Sequence, residues 1–161
     1  MADSDAFRHV TGTFATGVTV TTLPGDPPHG LTANAFTSVS LEPPLVLVCL
    51  DHETESHERF TNNEADGYCV NVLAADQQHL GEHFASITEL EESPFEAEPT
   101  TTAVTGAPIF EESLAYLDCS LHDSLRAGDH TIYVGEVEEM GVLDAKSPAL
   151  TFFRGEWGEL E

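Results

Sequence analysis

Three groups of residues have side chains that could do chemistry. His79-Leu80-Gly81-Glu82-His83 satisfies H-x-x-E-H, the spacing that sets two imidazoles and a general-base carboxylate on one helical face in zinc hydrolases. Gly81 weakens the helix that would hold such ligands, and a chain with 8 His and 29 acidic residues meets so short a pattern cheaply. A solvated helix face is the favoured reading, and no metal site is expected. His52 and His57 flank Glu53-Thr54-Glu55-Ser56; without a third ligand at defined spacing they read as a surface loop. Ser56 and the N–H groups of a helix start there would suit an anion. Gly128-Asp129-His130 lies between two β-rich runs. It is either a hairpin turn or a strand-start histidine facing a pocket, and spacing alone leaves both open.

The elements that must position these groups belong to one domain, residues 1–161, because a chain of this length buries enough surface to fold without staples. Its 29 Asp+Glu against 5 Lys+Arg give a formal net charge of −24. A surface this negative repels nucleic-acid phosphates and anionic lipid heads, so neither is expected as a partner. Self-repulsion should weaken the fold in dilute buffer and be screened at high salt, which points to a salt-rich cytosol. Cys49, Cys69 and Cys119 sit in apolar stretches without C-x-x-C spacing and read as buried free thiols in a reducing compartment. Met1 to Asp5 shows no basic and apolar leader pattern, and no window approaches 18 apolar residues, so a cytoplasmic, soluble protein is expected.

Along the chain, Ser4 predicts a capped helix over 5–13. Val18–Leu23 and His29–Val39 read as a hairpin around the Pro/Gly turn at 24–28, and Leu45–Leu50, apolar on both faces, as a central strand. A short helix is predicted around Ser56–Phe60, a strand over Tyr68–Leu73, and a helix over 77–84 capped by Asp76. Ser86–Pro99 reads as an acidic surface loop, and strands are predicted over Thr100–Val104, Leu114–Leu125, Thr131–Met140 and Ala149–Phe153. Seven or eight strands with two or three helices and no G-x-G-x-x-G fingerprint predict a mainly β, closed or nearly closed antiparallel barrel with helical covers.

The segment Gly30-Leu31-Thr32-Ala33-Asn34-Ala35-Phe36-Thr37-Ser38-Val39-Ser40-Leu41-Glu42-Pro43-Pro44-Leu45 resembles the signature of the short-chain flavin reductases, the FMN-binding split-barrel reductase components of two-component monooxygenases. Phe7-Arg8 through Val20, Val70–Leu73 with Asp76-Gln77 and Phe84-Ala85, Ala127–Val137, and Phe153-Arg154-Gly155 agree in order and spacing, so the likeness spans nearly the whole chain. The resemblance implies a Greek-key split barrel and hydride transfer from NADH or NADPH to FMN, with FAD as the other flavin. That chemistry needs no nucleophile and no metal. It implies that Thr32, Ala33 and Asn34 line the isoalloxazine through backbone N–H groups, that Thr37 belongs to the same flavin-binding stretch, and that Ser38 and the loop with Ser56 and His57 approach the phosphate. His130 would position the nicotinamide by packing and hydrogen bonding, and Arg154 would offer a charge near a phosphate or a partner subunit, or pair with one of the many acids. Asn71 is read as a barrel residue. The loop Asp51-His52-Glu53-Thr54-Glu55-Ser56 departs from the family in being acidic, which predicts weaker flavin binding at low salt. A homodimer and a partner monooxygenase are implied by resemblance; a non-catalytic FMN-binding protein and a flavin-dependent ferric reductase are the rival readings.

Overall fold

Alternating β-branched and apolar residues, punctuated by Pro and Gly, fold into strands that all pair antiparallel. The computed structural model describes all residues, Met1–Glu161. Helix α1 (Ser4–Thr11) leads into β1 (Thr16–Gly17), β2 (Thr19–Leu23), β3 (His29–Ala33), β4 (Phe36–Leu41) and β5 (Pro44–Asp51). Helix α2 (Glu55–Thr61), β6 (Gly67–Val72), a 3-10 turn (Ala75–Gln77), α3 (Gln78–Phe84) and α4 (Pro94–Ala97) follow. The chain ends with β7 (Thr100–Thr101), β8 (Ile109–Phe110), β9 (Ala115–Ala127), β10 (His130–Val142), β11 (Ala149–Phe153) and β12 (Glu156–Leu160).

Seven strands form the main sheet in the order β3-β2-β6-β9-β10-β5-β4, and β1, β11 and β12 form a smaller one. The two edge strands of the main sheet, β3 and β4, are consecutive and joined only by Asn34 and Ala35, so the ends of the sheet must meet at that linker. The Cys49 N–H, donating to the Ala35 carbonyl at 3.1 Å, fastens the junction. The sheet therefore curls into a nearly closed barrel, as expected.

Alternation along β5 sends Val46, Val48 and Leu50 inward, where they pack with Leu23, Phe60, Tyr68, Val70 and Tyr133. A second cluster, with Val18, Val20, Leu73, Leu80, Phe110 and Leu150, joins β2 to α3 and β11. Gly135 is required in the barrel wall: a Cβ there would lie 2.7 Å from both the Cys119 Cβ and the Tyr68 hydroxyl oxygen, which donates to the Tyr133 carbonyl at 2.9 Å. Asn71 is fully buried. Its amide donates to the Val20 carbonyl at 3.1 Å and accepts from the Phe110 N–H at 2.9 Å, which fits its reading as a barrel residue.

Several details differ from the sequence reading. Asp3, not Ser4, caps α1, its carboxylate accepting from the Ala6 N–H at 3.2 Å. Asp76 sits inside the 3-10 turn, and α3 has no side-chain cap. The acidic loop contains α4, and the strand expected over Thr100–Val104 shortens to two residues because Ala103 turns away to pack beside Cys69 and Ile109. Strand β12 is unforeseen; of its residues only Trp157 is even half-buried, against Phe152.

Candidate active site

The signature segment runs along the edge strand β3, through the Asn34-Ala35 linker and into the other edge strand, β4. Each edge strand leaves one side of its backbone without a strand partner, so this stretch can offer N–H and C=O groups to a flat heteroaromatic ligand. It also borders two cavities. One, of about 870 Å³, is lined by Asn34 through Thr37, by Leu47 and Cys49 of β5, by Arg8 and Phe14 near α1, and by Phe152 and Gly155. The other, of about 1010 Å³, is lined by His29 to Leu31, by Glu53 to Glu55 and by the acidic loop after α3, and no Lys or Arg lines it. The first has the size and mixed lining of a cofactor site together with a cation, and it suits an anionic, aromatic ligand better than the acidic second cavity.

The expected flavin-contacting residues are placed unequally. Asn34 and Thr37 line the first cavity. Thr32 turns its hydroxyl away, donating to the Gly81 carbonyl at 2.6 Å. Ala33 is buried, and its carbonyl accepts from the Thr19 hydroxyl at 2.7 Å, so neither residue offers a side-chain polar group to the cavity. Ser38 is exposed on β4 and does not line the cavity. Ser56 has no exposed surface and its hydroxyl has no partner; in this conformation that oxygen faces the protein rather than the loop's outer surface. Thr54 is the residue that caps α2, accepting from the His57 N–H at 3.2 Å.

His130 stands at the start of β10, opposite Asp51 of β5. In the same register Ile132 faces Cys49 and Val134 faces Leu47, so alternation places His130 on the outer face that carries Cys49 and Leu47 to the first cavity. It stands two residues, about 7 Å, along the strand from Ile132. Its Nδ1 bonds the Asp129 carboxylate at 2.7 Å, leaving Nε2 for a ligand, and that bond holds the Asp129 carboxyl below its ordinary range. In the Gly128-Asp129-His130 stretch, Gly128, at φ 66°, makes the hairpin turn, and the histidine opens the next strand without lining either cavity.

His57 lies on the opposite face of the sheet. Its Nδ1 shares a hydrogen bond of 2.6 Å with the inward-facing Tyr133 hydroxyl, and its ring stacks on His52, with centroids 4.6 Å apart. Burial first, then the neighbouring His52 and Arg126, hold its imidazole below the ordinary value. His52 joins it on that face, its Nε2 bonded to Thr131 Oγ1 at 2.9 Å, and neither ring lines the first cavity. An i, i+5 pair straddling a helix start gives no sign in sequence that its rings meet. Arg154 sits at φ 51° in the β11–β12 turn beside Gly155, and its guanidinium packs over the Phe153 ring at 4.7 Å rather than on a carboxylate. Its N–H donates to the Gly12 carbonyl at 2.8 Å, tying the turn to the end of α1. Arg8 was not singled out from sequence, although it is one of only 5 Lys+Arg in the chain.

The H-x-x-E-H side chains diverge. His79 bonds Glu98 at 2.8 Å, Glu82 accepts from Gln78 at 2.9 Å, and His83 accepts the Leu90 N–H at 3.3 Å. The two histidines pin the acidic loop to α3, and Glu82 is bonded within the helix.

Residues 11–161 match the family described as the flavin reductase like domain. The chain belongs to the flavin reductase family. It is 38% identical over 162 residues to the flavin-dependent monooxygenase reductase subunit HsaB of Mycobacterium tuberculosis, covering 99% of this chain and 83% of that protein. Among solved structures, BorF, the flavin reductase component of a bacterial two-component tryptophan halogenase, superposes with a TM-score of 0.89 at 39% identity, over 98% of both chains. The NADH:FAD oxidoreductase SgcE6 of Streptomyces globisporus, in complex with NAD and FAD fragments, superposes at 0.88 with 37% identity, over 99% of this chain and 93% of that one. In this flavin reductase the barrel, the signature segment and the GDH hairpin occur together, and the family's fold is the one described above.

Proposed function

We propose that this protein is an NADH-dependent flavin reductase that supplies reduced flavin to a separate oxygenase. The observation that carries the reading is the first cavity: Asn34 and Thr37 from the signature segment and Arg8 line it, and the outer face of β5 and β10 leads from it to His130. The residues present fit a flavin, since a cavity of about 870 Å³ lies within the usual range for cofactor sites and adjoins unpaired edge-strand backbone. When bound, the flavin accepts a hydride at N5 from C4 of the nicotinamide. The chain's own part is to orient and exclude water. Edge backbone at Thr32–Asn34 meets the isoalloxazine, Asn34 and Thr37 fix its polar edge, and Arg8 and Arg154 add positive charge where a phosphate group passes. His130, steadied by Asp129, packs and hydrogen-bonds the nicotinamide through its free Nε2. FMN is the favoured flavin and FAD the other; NADH is favoured over NADPH because so few Lys and Arg remain to hold a further phosphate.

A homodimer completes the site in this reading. Its support is apolar surface that the single chain leaves bare: Phe7, Val10 and Phe14 around α1 are 62%, 67% and 79% exposed, and Leu125, Met140 and Val142 stand out from β9 and β10. The net charge of −24 supports adaptation to a salt-rich interior, and three free thiols support a reducing, cytoplasmic setting. Steady-state NADH oxidation with FMN, FAD and riboflavin at low and high salt, beside sedimentation of the protein, tests the reading. Flavin-dependent NADH oxidation by a dimer is the expected result. NADH oxidation no faster than without protein would refute it, and reduction seen only with ferric ion present would favour the ferric reductase.

A further inference from the structure

The acidic segment after α3 is anchored at both ends and thinly held between them. Helix α3 closes on Ser86 at φ 60°, with the Ser86 N–H donating to the His83 carbonyl at 3.0 Å and the Ile87 N–H to the Glu82 carbonyl at 2.9 Å, the paired bonds of a Schellman stop. The segment rejoins the core at α4, where Pro94 is buried and the Phe95 ring stacks on Phe110 with centroids 5.5 Å apart. Between these anchors, Thr88 to Ser93 are exposed except for a half-buried Leu90. Two hydrogen bonds tie the stretch down. The Thr88 N–H donates to the Glu82 carbonyl at 3.4 Å, and the Leu90 N–H to His83 Nδ1 at 3.3 Å. Backbone held this lightly opens at far lower cost than the core. Thr88, Glu89 and Ser93 form one wall of the cavity of about 1010 Å³, and Asp26, Glu53 and Glu96 line it from other walls. None of these four carboxylates belongs to an ion pair, whereas Glu55, also in the lining, is neutralised by Arg59 at 3.0 Å. Glu91 and Glu92 add charge to the stretch itself, so its closed position is opposed by like charge.

We infer that residues 88–93 form a salt-dependent lid on this cavity, lifted by repulsion between carboxylates in dilute solution and held down by the His83–Leu90 bond once salt screens that repulsion. The inference stands independently of the flavin reading. Like charges about 10 Å apart across a cavity of this size, in water with about 0.1 M salt, disfavour closure by roughly 1.3-fold per pair. Glu89 against Asp26, Glu53 and Glu96 makes about twofold, and Glu91 and Glu92 bring the whole to roughly two- to fivefold. At about 1 M salt a Debye length of roughly 3 Å removes nearly all of it. His29 to Leu31 of the edge strand β3 line the same cavity, so the lid governs solvent access to the first residues of the signature segment.

The test is amide hydrogen exchange of Leu90, followed by NMR at fixed neutral pH in about 0.1 M and about 1 M salt. The Ala85 amide at the end of α3, bonded to the Gly81 carbonyl at 3.1 Å, serves as the internal reference for any change in the stability of the whole domain. Leu90 protection relative to Ala85 should rise roughly two- to fivefold at the higher salt. A variant combining Glu89→Gln, Glu91→Gln and Glu92→Gln should show the high-salt protection already in dilute buffer. His83→Ala should lower Leu90 protection at both salt concentrations, and His83→Asn, whose side-chain carbonyl accepts in place of Nδ1, should restore it. If His83→Ala does not fold, the glutamine variant, altered only at exposed positions, still decides. Leu90 protection that rises no more than that of Ala85, or that responds to salt equally in the glutamine variant, would overturn the lid.

Discussion

Thr32 lies in the middle of the signature segment, yet its hydroxyl is committed to the Gly81 carbonyl of α3 at 2.6 Å. Replacing Thr32 with Val keeps the β-branched shape that suits a strand and removes only that hydrogen bond. The Gly81 carbonyl retains the Ala85 N–H at 3.1 Å, so no acceptor is stranded, and the cost should be the net value of one hydrogen bond, about 0.5–1.5 kcal/mol. For a domain of this length that lowers Tm by roughly 2–5 °C. Equilibrium urea unfolding gives the stability change, and flavin titration of the same samples gives the affinity. If Thr32 serves the flavin through its backbone, the Val variant loses about 1 kcal/mol of stability and binds flavin within about twofold of the parent. A tenfold loss of flavin affinity without loss of stability would refute the placement, since the hydroxyl would then be a ligand contact.

Other consequences are as direct. His130→Ala should slow flavin reduction by NADH at least about tenfold, the scale of one lost positioning contact, while flavin affinity stays within about twofold, as read in anaerobic stopped flow. His57 and His29 are both held below the ordinary imidazole value of about 6.5, mainly by burial. The unfolded chain therefore binds more protons than the folded one just below that value, so ligand-free stability is full above about pH 6.5 and falls as pH drops below it. His57→Gln should flatten part of that fall in thermal denaturation, whereas an unchanged profile would show that His57 titrates freely. Raising salt from about 0.1 M to about 1 M shortens the Debye length from roughly 10 Å to 3 Å, and with a charge of −24 Tm should rise; a flat or falling Tm would contradict the self-repulsion argument.

The strands were legible wherever pattern and burial agree. Ala149–Phe153 matches β11 residue for residue, and the inward Val46, Val48 and Leu50 show why Leu45–Leu50 reads as a strand at all. The outer residues of that run are only half-buried, so apolarity on both faces reflected a sheet face that one chain leaves partly uncovered. Strand β12 escaped because Glu156, Gly158 and Glu159 carry little β signal; it is held by its five-residue register with β11. At the site, the motif residues were readable and the side-chain directions were not. Ser56 falls at the second position of α2, which turns it into the protein and leaves the capping to Thr54. Thr32 points to α3 because alternation on an edge strand fixes its face only once β2 is paired. The His52–His57 stack and the place of Arg8 beside the signature segment depend on contacts between distant segments, which no local spacing encodes.

The central claim is that NADH reduces flavin on this barrel. Mixing the protein and FMN with NADH under anaerobic conditions in about 1 M salt, where surface repulsion is strongly screened, tests it most directly through the flavin absorbance. Bleaching much faster than for free FMN with NADH, and slowed by His130→Ala, is the expected result. A flavin that binds and stays oxidised, or bleaches no faster than in the absence of protein, would contradict it.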